Sequence, residues 1–500
     1  MTEQRVHHLL EKQRVERPEA IALRDHDGVE YSYEALAHAV DWMSMDLAAR
    51  GLRAGDRLLV VAENCAAQVG LVLAASQLDA IAVPVNARMT EHELHRIANH
   101  ADPRLSVYLG NVSGPARTHA EIGDAVHWDT PLGALLISPE VRQALPEPVR
   151  DDAKQIAVLL YTTGTTGTPK GVMLSHGNLL YGGKTSALMR GLVPEDLILG
   201  VLPMTHVFGL ASMCVGGLAA GSTLWLMPRF SASAVIDALE AGVTVLPAVP
   251  QIHASIMAEA SRRGLDHAPG GYIRYVSSGA APLDPEWKRM AEAFYGIALQ
   301  NGYGMTETSA GVTLTTNPIG VPDVSVGRAL PNVELRLGSV GEDGVGEVLT
   351  RGPHVTPGYF HNEQATQEAF DADGFLRTGD LGRLDDAGNL HIAGRSRELI
   401  IRGGFNVYPP EVEAALNDHP KVVQTAVIGR TTEGGNEEVL AFCQVARESD
   451  VTEADLLEHV VDRLSPYKRP SRIVIATELP AAPTGKILKN KLLGVFADRL

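Results

Sequence analysis

Ile156-Ala157-Val158-Leu159-Leu160 runs directly into Tyr161-Thr162-Thr163-Gly164-Thr165-Thr166-Gly167-Thr168-Pro169-Lys170-Gly171. The apolar run predicts a buried strand, and the segment after it predicts a tight loop. Glycines let the backbone turn sharply and expose its N–H groups, the threonines add hydroxyl donors, and Lys170 adds a cation. Together these suit a polyphosphate. The loop is not a Walker A motif, because Lys170 precedes Gly171 and is not followed by Ser or Thr. Gly183-Lys184-Thr185 has the tail of that motif, but the glycine it requires upstream is Asn178. A P-loop NTPase is thereby excluded.

Working outward, short β-rich runs alternate with helical patterns: strands are predicted at 57–61, 80–83, 156–161, 223–227, 243–246 and 273–277, with helices at 65–78 and 91–100 among those between them. This rhythm predicts α/β layers with largely parallel sheets. Beyond about residue 324, strands at 333–337, 346–351, 382–384 and 390–392 are separated by Gly/Asp turns and read as a small antiparallel β unit. The last hundred residues predict a separate α+β module, with helices at 411–417, 453–464 and 486–498 and strands at 422–429, 438–446 and 473–476. The expected organisation is a large N-terminal domain, 1–394, a junction at 395–397, and a C-terminal domain, 398–500.

The 500 residues carry 43 Lys and Arg against 60 Asp and Glu, a net charge of −17. Such a field repels nucleic acid and anionic lipid, so an anionic substrate must be received by local donors. The three cysteines, Cys65, Cys214 and Cys443, form no metal-ligand spacing and read as buried thiols in a reducing compartment. The charged opening segment does not read as a signal peptide, and a cytoplasmic location is expected. Residues 207–228 lack charge and imitate a membrane span. Gly216, Gly217 and Gly221 break that run, so a buried helix followed by a strand at 223–227 is predicted instead.

The whole string Thr162–Val172 closely resembles the signature of the adenylate-forming superfamily, which includes acyl- and aryl-CoA synthetases, luciferases and the adenylation domains of peptide synthetases. The resemblance continues in Tyr303-Gly304-Met305-Thr306-Glu307-Thr308, in Thr378-Gly379-Asp380 and in Gly394-Arg395-Ser396-Arg397-Glu398. It extends to Gly403-Gly404-Phe405-Asn406-Val407-Tyr408-Pro409 and to Pro483-Thr484-Gly485-Lys486. What it implies is a two-step ligase: a carboxylate attacks the α-phosphate of Mg-ATP, and a thiol, usually that of coenzyme A, then displaces AMP.

Carried over residue by residue, the resemblance assigns Thr162, Thr163, Gly164, Thr165, Thr166 and Lys170 to the β- and γ-phosphates. Thr306 goes to the α-phosphate and Glu307 to Mg²⁺, for which a carboxylate is a suitable hard ligand. Asn301, Gly302 and Tyr303 are placed at the nucleotide, and Asp380 with Arg395 at the ribose. Lys486 is expected to bridge substrate carboxylate and α-phosphate, offsetting the repulsion between them. His206, Ser278, Gly279, Ala280, Gly304 and Met305 would line the acyl pocket, with His206 also gating the thiol path. Arg397 would be the hinge of a mobile C-terminal domain, and Gly403 and Gly404 would flank the pantetheine. Taken alone, Glu307 or Asp380 would be a surface or turn carboxylate, Lys486 an exposed helix-start lysine, and His206 a buried histidine.

The segments expected to wall the pocket, 206–210, 249–253, 277–281, 302–305 and 310–312, are small and apolar. They contain no Asp to bind an α-amino group and few Arg or Lys, so amino acids and dicarboxylates are disfavoured. No carrier domain is expected after residue 500. The sequence therefore predicts ligation of a monocarboxylic acid to coenzyme A, an aryl acid such as a hydroxycinnamate or benzoate before a short or medium fatty acid. An enzyme loading a carrier protein and a luciferase-like oxygenase are the alternatives.

Overall fold

The computed structural model describes residues 3–138, 145–163, 169–279, 283–402, 405–432, 437–464, 466–481 and 487–500. Contacts divide the chain into two units: Met1–Leu335 with Thr350–Leu376, and Arg336–Leu349 with Arg377–Leu500.

The first unit contains two α/β sheets. One has seven strands, in the order Val126–Thr130, Gly133–Ile137, Leu105–Tyr108, Arg57–Ala62, Ile81–Asn86, Ile156–Thr163 and Pro169–Ser175. Its centre is parallel and both edges are antiparallel. Every residue of Arg57–Ala62 is buried, as expected for a strand covered on both faces. The other sheet has nine strands. From Ile21–Arg24 through Thr223–Leu226, Leu197–Gly200, Val245–Ala248 and Tyr275–Gly279 to Leu299–Tyr303 its neighbours are parallel. Helix Ala66–Gln77 is buried almost throughout, a pattern expected for an apolar core helix.

The uncharged stretch resolves as a π-helix, Phe208–Val215, an α-helical turn, Gly216–Ala220, and the strand Thr223–Leu226. Gly221 stops the helix in the left-handed region at φ +73°. Helix His176–Met189 packs on the π-helix through Gly183, where a Cβ would stand 2.5 Å from Val215 Cγ1. Among the described residues no helix is long and apolar enough to cross a membrane.

In the second unit, strands Leu376–Leu384 and Leu390–Arg395 pair antiparallel within a four-stranded sheet. A three-stranded sheet, Val422–Thr431, Glu437–Val445 and Arg472–Ala476, packs with helix Pro409–Asn417 around Val412, Leu416, Val427, Val439 and Cys443. Two helices are shorter than expected. The one predicted at 453–464 ends at His459, and that predicted at 486–498 is Lys489–Val495. The strand expected at 382–384 begins at Leu376, so Asp380 is a strand residue and not part of a turn.

Candidate active site

The signature stretch folds as a hairpin. Strand Ile156–Thr163 turns back into Pro169–Ser175 with Thr162 opposite Lys170 and Thr163 opposite Pro169. The pairing fixes Lys170 at the mouth of the loop. Residues 356–360 run beside the second strand: Phe360 N–H donates to Gly171 O at 2.8 Å and Met173 N–H to Gly358 O at 3.0 Å. This brings in Tyr359, whose ring lies under Lys170 Nζ at 5.0 Å and whose hydroxyl donates to Glu307 Oε1 at 2.8 Å. Lys170, Tyr359 and Glu307 therefore form one connected set. Glu307 is buried at 7% exposure, and Oε2 has no hydrogen-bond partner among the described residues. A recessed carboxylate with one open oxygen fits Mg²⁺, which takes one or two carboxylates and completes its shell with phosphates and water.

Tyr275–Gly279 and Leu299–Tyr303 lie side by side, with Ser278 opposite Asn301 and Gly279 opposite Gly302. Their carboxyl ends open where ligands bind in open α/β sheets. Asn301 is locked by its amide N–H to Ser325 O at 2.9 Å. Beyond Tyr303 the chain makes a tight corner through Gly304 and the short helix Thr306–Thr308. A Cβ on Gly304 would lie 2.0 Å from Ala310 O, so the approach of the two backbone segments requires glycine. Ser309 and Ala310 follow at φ +49° and +85°, a strain of about 1–3 kcal/mol each that marks functional corners. Met305 N–H donates to Thr308 Oγ1 at 2.9 Å, and Thr306 is half-buried at the tip.

At the end of strand Tyr275–Gly279, a Cβ on Gly279 would stand 3.2 Å from Phe208 Cε1. His206 precedes that ring at the start of the π-helix. It is open to solvent yet recessed among enough protein for desolvation to lower its pKa, so the imidazole is neutral at pH 7. His253 is fully buried, and desolvation lowers its pKa to about 4. It bridges Tyr295 Oη at 2.9 Å and Ser277 O at 3.1 Å.

In the second unit Asp380 and Arg395 are cross-strand partners, joined Nε to Oδ1 at 3.0 Å. Asp380 is 5% exposed, and Thr378 Oγ1 accepts from its N–H at 3.1 Å. The pairing holds a carboxylate with its guanidinium alongside, an arrangement suited to a pair of hydroxyls.

Of the residues predicted from sequence, Gly164, Thr165, Thr166, Ala280, Gly403, Gly404 and Lys486 lie outside the described residues, as do the side chains of Thr163 and Arg397. Two residues beside the site were missed. Tyr359 belongs to no motif and reaches Lys170 and Glu307 only through strand pairing. Arg190 was missed because it lies outside every predicted pocket segment. It sits at the end of helix His176–Met189 and meets Phe208 and Tyr275 across the packing, 5.9 Å from each ring.

Residues 10–360 match the AMP-binding enzyme family, and residues 411–486 match the AMP-binding enzyme C-terminal domain. The chain belongs to this family and is an adenylate-forming acid–CoA ligase, using ATP, Mg²⁺ and coenzyme A. It is 33% identical over 480 residues to the sulfoacetate–CoA ligase of Cupriavidus necator, covering 92% of both chains. It is 31% identical over 484 residues to 4-coumarate–CoA ligase 1 of Arabidopsis thaliana, covering 90% of this chain and 85% of that one. The ATP-bound MatB of Rhodopseudomonas palustris superposes with a TM-score of 0.85 at 31% identity, covering 99% of both chains. The o-succinylbenzoate CoA synthetase of Bacillus subtilis, in complex with its acyl-adenylate, superposes at 0.84 with 28% identity over 98% of both.

Proposed function

We propose that this ligase converts a monocarboxylic acid to its CoA thioester in the cytoplasm, an aryl acid of the hydroxycinnamate or benzoate type before a short or medium fatty acid. In the first step a carboxylate oxygen bonds to the α-phosphorus, and the bond to the bridging oxygen breaks to release pyrophosphate. In the second the thiol sulfur bonds to the acyl carbon and AMP departs. The observation that carries this reading is the linked set Lys170, Tyr359 and Glu307 beside the phosphate hairpin.

In this reading Lys170 and the hairpin around Thr162–Lys170 hold the β- and γ-phosphates, and Thr306 donates to the α-phosphate. Glu307 would hold Mg²⁺, which neutralises phosphate charge when bound. Tyr359 keeps that carboxylate oriented. Tyr303, Asn301 and Gly302 receive the base, and Asp380 accepts from the ribose hydroxyls while Arg395 fixes its orientation. Lys486 bridges the reacting carboxylate and phosphate. His206 with Ser278, Gly279, Ala280, Gly304 and Met305 bounds the acyl group, and Gly403 and Gly404 leave room for pantetheine.

The two steps use different nucleophiles at different centres: the carboxylate attacks the α-phosphorus, and the thiol, losing its proton, attacks the acyl carbon as its bond to the AMP oxygen breaks. We assign the change between them to a hinge at Arg397, between a domain of residues 1–394 and one of residues 398–500. Arg397→Pro is expected to spare pyrophosphate release and impair thioester formation from supplied acyl-AMP; equal loss of both would remove the hinge assignment. The direct test of function is pyrophosphate release with ATP and Mg²⁺ across a panel of carboxylic acids, with and without CoA. Turnover dependent on both one acid class and CoA is expected. Release independent of CoA would point to another acceptor.

A further inference from the structure

Arg190 is 7% exposed, yet no carboxylate lies within ion-pair distance of it among the described residues. Its Nη1 donates to Ser212 O at 2.9 Å and its Nη2 to Ser212 Oγ at 2.6 Å. Nε–H and one hydrogen on each Nη are left without an acceptor. Asp196, the acid near the end of the same helix, is committed to Arg274 and Thr244. A buried cation without a counter-charge is costly, and buried arginines are ordinarily matched to a carboxylate, phosphate or similar oxygen pair.

The residues around Arg190 make the same point independently. The buried hydroxyls of Tyr275 and Ser277 have no hydrogen-bond partner, and both residues share a strand face with Gly279. The Tyr275 hydroxyl lies within side-chain hydrogen-bond reach of both Arg190 and Ser277, at a geometry short of a well-formed bond. Unspent donors from a helix end and from a strand thus converge behind Phe208, the half-buried ring packed on Gly279. Phe208 opens a π-helix, an irregularity concentrated at functional sites. Hydrocarbon at that end of the pocket would leave the Arg190 cation with no counter-charge and no acceptor beyond Ser212 and Tyr275.

We propose that Arg190 is a specificity residue: the acyl pocket ends on its guanidinium, and the acid ligated carries a second oxygen-bearing group, carboxylate, sulfonate or phenol, at its distal end. This rests on the acid–CoA ligase reading: a distal phenol falls within the hydroxycinnamate class proposed above, whereas a distal carboxylate or sulfonate would replace the plain monocarboxylic acid named there. It also adds a cation to a pocket whose sequence segments contain few. A site built to hydrogen-bond such a group rejects the analogue that lacks it, because its own donors are then left buried and unpaired.

The test compares matched acids by kcat/KM for CoA thioester formation: cinnamate against 4-hydroxycinnamate and 4-carboxycinnamate, and hexanoate against hexanedioate. The distal-oxygen member of at least one set is expected to exceed its plain partner by roughly 10- to 100-fold, the range set by loss of a charge-assisted hydrogen bond. In Arg190→Met that ratio should fall towards one, and Arg190→Lys should retain part of it. Tyr275→Phe gives a second reading should Arg190→Met fail to fold, with a several-fold drop in the same ratio. Preference for the plain acids, or an unchanged ratio in the variants, would overturn the assignment. Absence of AMP and thioester with every acid would instead overturn the ligase reading beneath it.

Discussion

The hairpin that carries Thr162 and Lys170 and the packing around Phe208 are built in opposite ways. In the hairpin, Thr162 and Lys170 are cross-strand partners only eight residues apart in sequence, and of the contacts described there only the segment around Tyr359 comes from far along the chain. In the second region Phe208 meets Gly279 and Arg190 meets Tyr275, from elements separated by whole strands and helices. Phosphate binding needs backbone N–H groups at fixed spacing, which a short contiguous loop supplies. Shape and polarity for an acid's tail are supplied by packing. The first kind of site is thus conveyed by a motif, and the second varies freely on the same fold.

The largest expected effect tests the motif side. Lys486→Ala should lower acid-dependent pyrophosphate release by about 10²-fold or more while leaving thioester formation from supplied acyl-AMP near the unmodified rate. Equal loss in both half-reactions would mean that the contiguous signature had been assigned the wrong step. Next comes the pH response of the acyl side. Buried His253 has a folded pKa of about 4 against about 6.5 unfolded, so the unfolded chain binds the proton more readily. Its contribution is complete above pH 6.5 and is lost as pH falls towards 4, amounting to about 2 kcal/mol between pH 8 and 5. Thermal melts across that range should show a smaller decline for His253→Gln than for the parent; parallel declines would show that another group governs acid sensitivity.

Tyr359→Phe lies between the two regions in kind, since a non-local residue there supports a motif residue. It removes one hydrogen bond to a carboxylate, and a loss of about 10-fold in kcat/KM for adenylation is expected, with a raised Mg²⁺ requirement. An unchanged Mg²⁺ titration would deny Tyr359 its positioning role. The smallest effect belongs to Gly279→Ala. Its Cβ would meet Phe208 Cε1 at 3.2 Å, a contact that a few tenths of an ångström of ring movement relieves. A shift of about 2- to 5-fold in relative kcat/KM towards smaller acids is expected, with overall stability little altered. No change in relative rates would place the acyl tail away from Phe208.

Much of the fold was legible. Runs such as 57–61 and 156–161 are apolar without alternation, which is what a parallel strand buried on both faces requires, and they fold as strands Arg57–Ala62 and Ile156–Thr163. Helix ends were read less well. Helical periodicity persists past His459, but the helix ends there, ahead of the strand Arg472–Ala476. The uncharged run at 208–215 was read as helix, but its π form arises where it packs against the glycines of helix His176–Met189, which no local pattern records. Asp380 was read in its motif but not in its strand, where the partner Arg395 is set by register.

The sequence alone determined the family and the reaction class, through motifs whose residue types and order are written along the chain. Only the tertiary structure decided what surrounds that chemistry. It placed Tyr359 between Lys170 and Glu307, and a buried Arg190 behind Phe208. A side chain's neighbours across a sheet or a helix contact depend on register and packing of distant segments, and no stretch of sequence carries that information by itself.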